Sequence, residues 1–132
     1  MHKNLKNSEF DSWNILKKKL DSNHLFPTFQ EREIWWCCIG INVGHEENGK
    51  NQLFNRPVMI VKKFNKNIFL GIPLTSKIKD NRFYHKIHLQ GKDQSAMLSQ
   101  IRVFESRRLT HKMAKITRDQ FDKIKEQIKD MI

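Results

Sequence analysis

The chain has 132 residues, enough for one domain with a sizeable core and an appendage. Lys and Arg outnumber Asp and Glu by 25 to 14, a formal net charge of +11, so the favoured partners are polyanions: nucleic acid or the acidic segment of a protein. The polar start MHKNLKNSEFDSW reads as no signal peptide, and the longest uncharged apolar run, residues 34–43, is far too short to span a bilayer, so no membrane association is expected.

Residues 8–20 place Phe10, Trp13, Leu16 and Leu20 at helical spacing, with Lys17, Lys18 and Lys19 near the end, where cations suit the helix dipole. This amphipathic helix and the linker 21–30 make an N-terminal extension, residues 1–30. Its apolar stripe suits packing on its own domain or on a second subunit; its lysines suit a membrane surface or RNA.

From residue 31 the pattern is one of short strands. Residues 31–43 are apolar on both faces, which calls for a barrel interior on one side and a helix or partner subunit on the other. Within this strand Cys37 and Cys38 are adjacent and point to opposite faces, a poor disulfide and no half of a zinc site; they read as buried hydrophobes in a reducing cytoplasm, and the protein is expected to be cytoplasmic. Residues 44–55 form a polar loop with two glycines, a candidate substrate flap, and carry His45, Glu46 and Glu47 just before Arg56.

Residues 57–64 and 68–75 read as a hairpin around Asn65-Lys66-Asn67, because Asn tolerates the positive φ of a tight turn. With the turn centred on Lys66, paired residues sum to 132 and Arg56 faces Ser76; a slip of one residue puts it opposite Thr75. Either way an arginine comes beside two hydroxyls. A planar cationic fork with hydroxyl donors suits phosphate; the plainer reading is a rim arginine that caps a strand.

Beyond the charged turn at Lys77 come a strand over 83–89, a glycine turn over 90–94, one strand over 95–104, a basic elbow at 106–108 and a short strand over 113–116. Thr117 and Gln120 make a capping box and Ile116 with Phe121 a hydrophobic staple. Phe121, Ile124, Ile128 and Met131 or Ile132 then give a C-terminal helix one apolar face, to lie on the sheet. The expected fold is mainly β with α: a small, strongly bent antiparallel β-barrel over 31–132, closed by the C-terminal helix.

His85 and His88 stand three apart in a strand and so face opposite ways, unable to share a metal. No P-loop, G-x-G-x-x-G or G-x-S-x-G motif is present. No metal and no cofactor are expected.

The succession Glu33-Ile34-Trp35-Trp36, Gly44-His45-Glu46, Arg56-Pro57-Val58, Pro73-Leu74-Thr75-Ser76, Ser99-Gln100-Ile101-Arg102 and Arg107-Arg108-Leu109 resembles the MazF/PemK family, the ribonuclease toxins of bacterial toxin–antitoxin pairs. The resemblance implies a homodimer of SH3-like barrels that cleaves single-stranded RNA (mRNA) without a metal, usually at a short preferred sequence. The products would carry a 2′,3′-cyclic phosphate and a 5′-hydroxyl. An acidic antitoxin protein would occupy the RNA groove, and the pair would bind DNA.

The resemblance implies Arg56 and Thr75 as the main catalytic residues, in agreement with the hairpin pairing, and Ser76 stands beside them. An arginine, with a pKa above ~12, is a poor base. The family's G-H-E histidine falls on His45, which titrates in the useful range and is expected as base or acid with Glu46 to orient it. Glu46, Lys77, Gln100 and Arg102 are expected to contact substrate. The chain departs from the family where some members carry an arginine and an aspartate: those positions are Met97 and Ser99, and the acid of the usual I-D position is Glu105. Two other readings stay open: a toxin of the same fold that poisons DNA gyrase, and a basic barrel that binds RNA without cutting it. Retention of Arg56, Thr75 and Ser76 argues against the gyrase poison.

Overall fold

The structure, a computed structural model, describes residues 27–41 and 53–132. The expected N-terminal helix and the loop bearing His45, Glu46 and Glu47 lie outside the described residues. Strands β1 (Glu33–Ile41), β2 (Leu53–Lys63), β3 (Ile68–Thr75), β4 (Tyr84–Leu89), β5 (Lys92–Met97), β6 (Arg102–Glu105) and β7 (Leu109–Lys115) precede helix α1 (Arg118–Met131).

The strands form one antiparallel sheet in the order β4-β5-β3-β2-β1-β7, with β6 added beside β3. β3 forks the sheet: Ile68 to Gly71 pair with β6, whereas Leu74 and Thr75 pair with β5. Among the described residues the sheet does not close into the barrel expected from the sequence, since no ladder joins β4 to β7. The gap is crossed by a side chain, Gln90 Nε2 donating to the Met113 carbonyl at 3.1 Å.

Alternation along the strands builds two cores. One face gathers Ile34, Met59, Ile72, Leu74, Ile87 and Leu98 beneath Ile116, Phe121 and Ile124 of the helical end. The other gathers Trp35, Val58, Ile60 and Phe69 with Phe104 and Leu109. β1 is therefore covered on both sides, as its composition requires. The second cover, however, is Phe29 and the chain around β6 rather than a helix. Phe29, which the sequence places in a linker, is fully buried, with its ring 5.3 Å from that of Phe69.

The β2–β3 hairpin closes by a different device from the one expected. Asn65 and Asn67 both keep negative φ; instead Asn65 Oδ1 accepts the N–H groups of Asn67 at 2.7 Å and Ile68 at 3.0 Å, an Asx turn. Left-handed backbone is used at the next hairpin, where Gln90 (φ 49) and Gly91 (φ 80) link Leu89 and Lys92 in a two-residue loop.

The single strand expected over 95–104 is broken: β5 ends at Met97, a 3₁₀ turn (Leu98–Gln100) follows, and β6 starts at Arg102. The fork in β3 requires this step, because β5 and β6 pair with different halves of that strand. The last strand is longer than expected, since an edge strand tolerates the exposed Thr110, His111 and Lys112. At α1, Gln120 N–H donates to Thr117 Oγ1 at 3.2 Å, but the Gln120 side chain reaches the Lys86 carbonyl at 3.5 Å rather than returning to the cap. Phe121 and Ile124 are buried and Ile128 and Met131 half-buried, whereas Ile132 is exposed.

Candidate active site

The far end of the β2–β3 hairpin decides where Arg56 sits. Near the turn, partners sum to 132 (Lys62 with Leu70, Lys63 with Phe69). A bulge between Ile60 and Lys62 then changes the sum to 131, as in Val58 with Pro73. Continued in that register, Arg56 stands opposite Thr75 rather than Ser76. The ladder stops at Val58, because Pro57 has no N–H to offer across the pair. The Leu74 carbonyl instead accepts from Arg56 Nη1 at 3.1 Å.

Around this end lies an open cavity of about 590 Å³. Arg56, Thr75, Ser76 and Lys77 line it together with Trp36 of β1, Gln94 and Lys92 of β5, Gln90 of the hairpin loop and Met113 of β7. Its floor includes Leu74 and Leu89, which are also core residues, so the cavity is the unroofed end of the helix-side core. Arg56 and Thr75 are half-buried and Ser76 and Lys77 exposed. Thr75 Oγ1 accepts the Lys77 backbone N–H at 3.3 Å, which fixes the turn and leaves the hydroxyl hydrogen to donate. A cationic fork, two hydroxyls and two lysines around one cavity have the chemistry that suits a phosphate group.

Of the residues expected from the sequence, Arg56, Thr75, Ser76 and Lys77 are thus brought together. Gln100 and Arg102 are not. Gln100 is exposed on the 3₁₀ turn, and Arg102 lines a separate recess with its guanidinium 4.5 Å from the Phe104 ring. His45 and Glu46 lie outside the described residues. Met97, where the sequence departs from the pattern it resembles, is buried.

Sequence reasoning missed several contributors, among them Trp36, Gln94 and Lys92. Trp36 belongs to a strand expected to be covered on both faces, yet it is half-buried on the cavity wall, with its ring 6.1 Å from that of His111. Gln94 and Lys92 read as parts of a turn. A signal was available in Gln94 and Ser95, polar residues set before the apolar Ala96-Met97-Leu98 run, and both prove buried.

Trp35 does serve the core. Its Nε1 donates to Glu33 Oε1 at 2.9 Å, and the same oxygen accepts the Gln30 N–H at 2.9 Å, while Lys112 Nζ lies 3.2 Å from Glu33 Oε2. Burial pushes the Glu33 carboxyl up, but the Trp35, Gln30 and Lys112 donors outweigh it and hold the pKa below 4.5. Burial, with Cys38 adjacent, pushes the Cys37 thiol up to about 12, against the opposing pull of Arg108 and Arg102. Neither group belongs to the cavity wall.

The fold and cavity together define a class: a small, basic, mainly antiparallel β domain with a cationic, hydroxyl-lined opening. Comparison with known families narrows it: the model of the PemK-like, MazF-like toxin of type II toxin–antitoxin systems matches residues 30–132. The chain belongs to this family. Among solved structures, MazF (form I) from Deinococcus radiodurans is similar at a TM-score of 0.58 and 18% identity, covering 81% of this chain and 96% of that one. A structure described as an Mtb toxin is similar at a TM-score of 0.53 and 12% identity, covering 58% of this chain and 92% of that one. At these identities the likeness is one of fold. No match was found among curated proteins. Among the described residues no helix is long and apolar enough to cross a membrane.

Proposed function

We propose that this protein is the toxin of a toxin–antitoxin pair and acts as an endoribonuclease on single-stranded RNA. The observation that carries the reading is the convergence of Arg56, Thr75 and Ser76 on one open cavity. RNA supplies its own nucleophile. The 2′-oxygen attacks phosphorus as its proton leaves to a base, the bond to the 5′-oxygen breaks, and that oxygen takes up a proton. The products are a 2′,3′-cyclic phosphate and a 5′-hydroxyl.

Arg56 stabilises the charge that builds on the phosphorane oxygens, an effect typically worth ~3 kcal/mol. Thr75, with Ser76 beside it, donates to the same group, and Lys77 draws in the strand. His45, oriented by Glu46, serves as acid or base. Gln100 and Arg102, away from the cavity, contact the strand further along. On the family's pattern the molecule works in the cytoplasm, without a metal, as a homodimer. An acidic antitoxin competes for the basic surface of a chain whose net charge is +11.

The test is incubation of purified protein with mixed-sequence RNA in excess EDTA, followed by mapping of the ends. Cleavage that leaves 5′-hydroxyl termini and disappears in Arg56→Ala supports the reading. RNA that stays intact while bound would instead favour a non-cleaving barrel, and capture of gyrase without either would favour a gyrase poison.

A further inference from the structure

At the opposite end of β2 from Arg56, a recess of about 360 Å³ opens between the segment before β1, Lys63, the end of β7 and the start of α1. Its wall carries four cations, Arg32, Lys63, Lys115 and Arg118, against one carboxylate, Glu31. Phe29 and Phe121 lie beneath but are almost wholly covered, so the accessible wall is basic rather than apolar.

Among the described residues no carboxylate forms an ion pair with these cations. Lys63 Nζ donates to the Phe29 carbonyl at 3.0 Å and Lys115 Nζ to Gln30 Oε1 at 3.2 Å, both uncharged acceptors. Glu31 Oε2 accepts a backbone N–H, that of Lys63, at 3.0 Å. The carboxylates nearby are engaged elsewhere: Asp119 with Lys123 at 3.3 Å, and Glu33 with Lys112 at 3.2 Å.

Arg32 is the most constrained member. Its φ of 78° is a left-handed conformation that a side chain of this size adopts only when the surroundings impose it. Here its N–H is tied to the Ile60 carbonyl at 2.9 Å and its carbonyl to the Ile116 N–H at 3.0 Å. Its Nε is buried and has no hydrogen-bond partner. A cationic side chain whose backbone is held in place, beside three further cations on one wall, suits an anion.

We propose that this recess is a second phosphate site, holding a backbone phosphate of an RNA strand that continues from the Arg56 cavity along the edge of β7. The inference rests on the ribonuclease reading and extends it by assigning a distal subsite. β7 supplies the link: Met113 lines the Arg56 cavity and Lys115, two residues further along the same strand, lines the recess. No strand pairs beyond β7 among the described residues, so a chain laid along it displaces no ladder. A repeating polyanion can fill both sites at once and gain from the high effective concentration of its second end. An acidic peptide has the same sign of charge, but the covered Phe29 and Phe121 offer its apolar residues no purchase.

The test uses 2′-O-methyl oligonucleotides, which cannot be cleaved, as fluorescent probes: a dinucleotide that fits the Arg56 cavity alone, and a longer strand that reaches both sites. The double variant Lys115→Gln with Arg118→Gln changes two exposed side chains. The long strand is expected to bind on the order of 10-fold more weakly, with its log–log salt slope reduced by about 1.4, while the dinucleotide keeps its affinity. Should the double variant fail to match the parent's thermal midpoint, Arg118→Gln alone should give about half the change in slope. An unchanged affinity and slope for the long strand, or an equal loss for both lengths, overturns the proposal. Preferential capture of poly-glutamate by the parent, lost in the variant, assigns the recess to an acidic protein and also overturns it. If the parent binds neither oligonucleotide, the ribonuclease reading itself falls. If Arg56→Ala abolishes dinucleotide binding while the double variant behaves as the parent, the distal subsite alone falls.

Discussion

Arg56 Nη1 donates to the Leu74 carbonyl oxygen at 3.1 Å, which ties the guanidinium of β2 to the end of β3 one residue before Thr75. That bond uses only part of the planar fork and leaves its other N–H groups for a ligand. Arg56→Ala is therefore expected to lower RNA cleavage by about 10²–10³-fold. Arg56→Lys keeps the charge but cannot hold Leu74 and a phosphate together, and should remain at least about 10-fold below the parent. Single-turnover rates on one defined RNA decide this; a lysine variant as fast as the parent would show that charge alone is used.

The Thr75 hydroxyl accepts the Lys77 N–H, so its oxygen is already positioned and its hydrogen is left to donate. Thr75→Val preserves the shape and removes the donor, and kcat should fall by about 10-fold with KM little changed. Thr75→Ser should retain most of the rate. A rate lost in the serine variant but kept in the valine variant would mean that the methyl group, not the hydroxyl, is what matters.

The legibility of this site followed from its being local. Arg56 and Thr75 are joined by one hairpin, and the turn residues with the alternating pattern determined their pairing to within a residue. The residual uncertainty came from the bulge at Val61, which shifts the register by one residue and leaves no mark in composition. What could not be read was non-local. Trp36 and Met113 reach the cavity through pairings of β1 with β2 and β7. Gln94 arrives only because β3 forks, and the same fork split the strand expected over 95–104. Closure was misjudged for a related reason: hydrophobic periodicity reports which face is buried, and an open bent sheet under a helix buries the same face as a barrel.

Gly71 lies at the crowded side of that fork. A Cβ there would come within 2.7 Å of Val58 Cγ1 and 2.8 Å of Phe69 Cε2, closer than side-chain atoms approach. Gly71→Ala should destabilise the fold by about 2–3 kcal/mol through overpacking. Adding Val58→Ala removes one of the two clashing groups, so the double variant should lose less than the sum of the single losses. Urea unfolding of the four proteins measures the difference, and simple additivity would show that the backbone shifts to make room.

Cys37 should be chemically silent in the native state. Its thiol is fully buried and its pKa is pushed up to about 12, so thiolate is scarce at any working pH. Alkylation by iodoacetamide at neutral pH should follow the rate of unfolding, and become fast only in denaturant. Rapid labelling of Cys37 in the folded protein would contradict the packing of this face.

Glu33 makes the stability of the fold depend on pH in a defined direction. Its folded-state pKa is lowered below the ordinary 4.5, so the unfolded chain binds a proton more readily than the native one. The stabilisation is therefore complete above 4.5 and is lost as pH falls through the lower, folded value. Removing the carboxylate in Glu33→Ala leaves the Trp35 indole and the Gln30 N–H without their acceptor and should cost about 2–3 kcal/mol at neutral pH. Glu33→Gln keeps an acceptor oxygen and loses the Lys112 pair, at a cost of about 1 kcal/mol. The two proteins separate most clearly on acidification. Below 4.5 the parent should lose stability relative to Glu33→Gln, because only the parent has a carboxylate there to protonate. Denaturant midpoints of both proteins, followed from neutral to acid pH, should converge. Parallel midpoints across that range would show that Glu33 has the same proton affinity folded and unfolded, and that its three donors do not hold the charge.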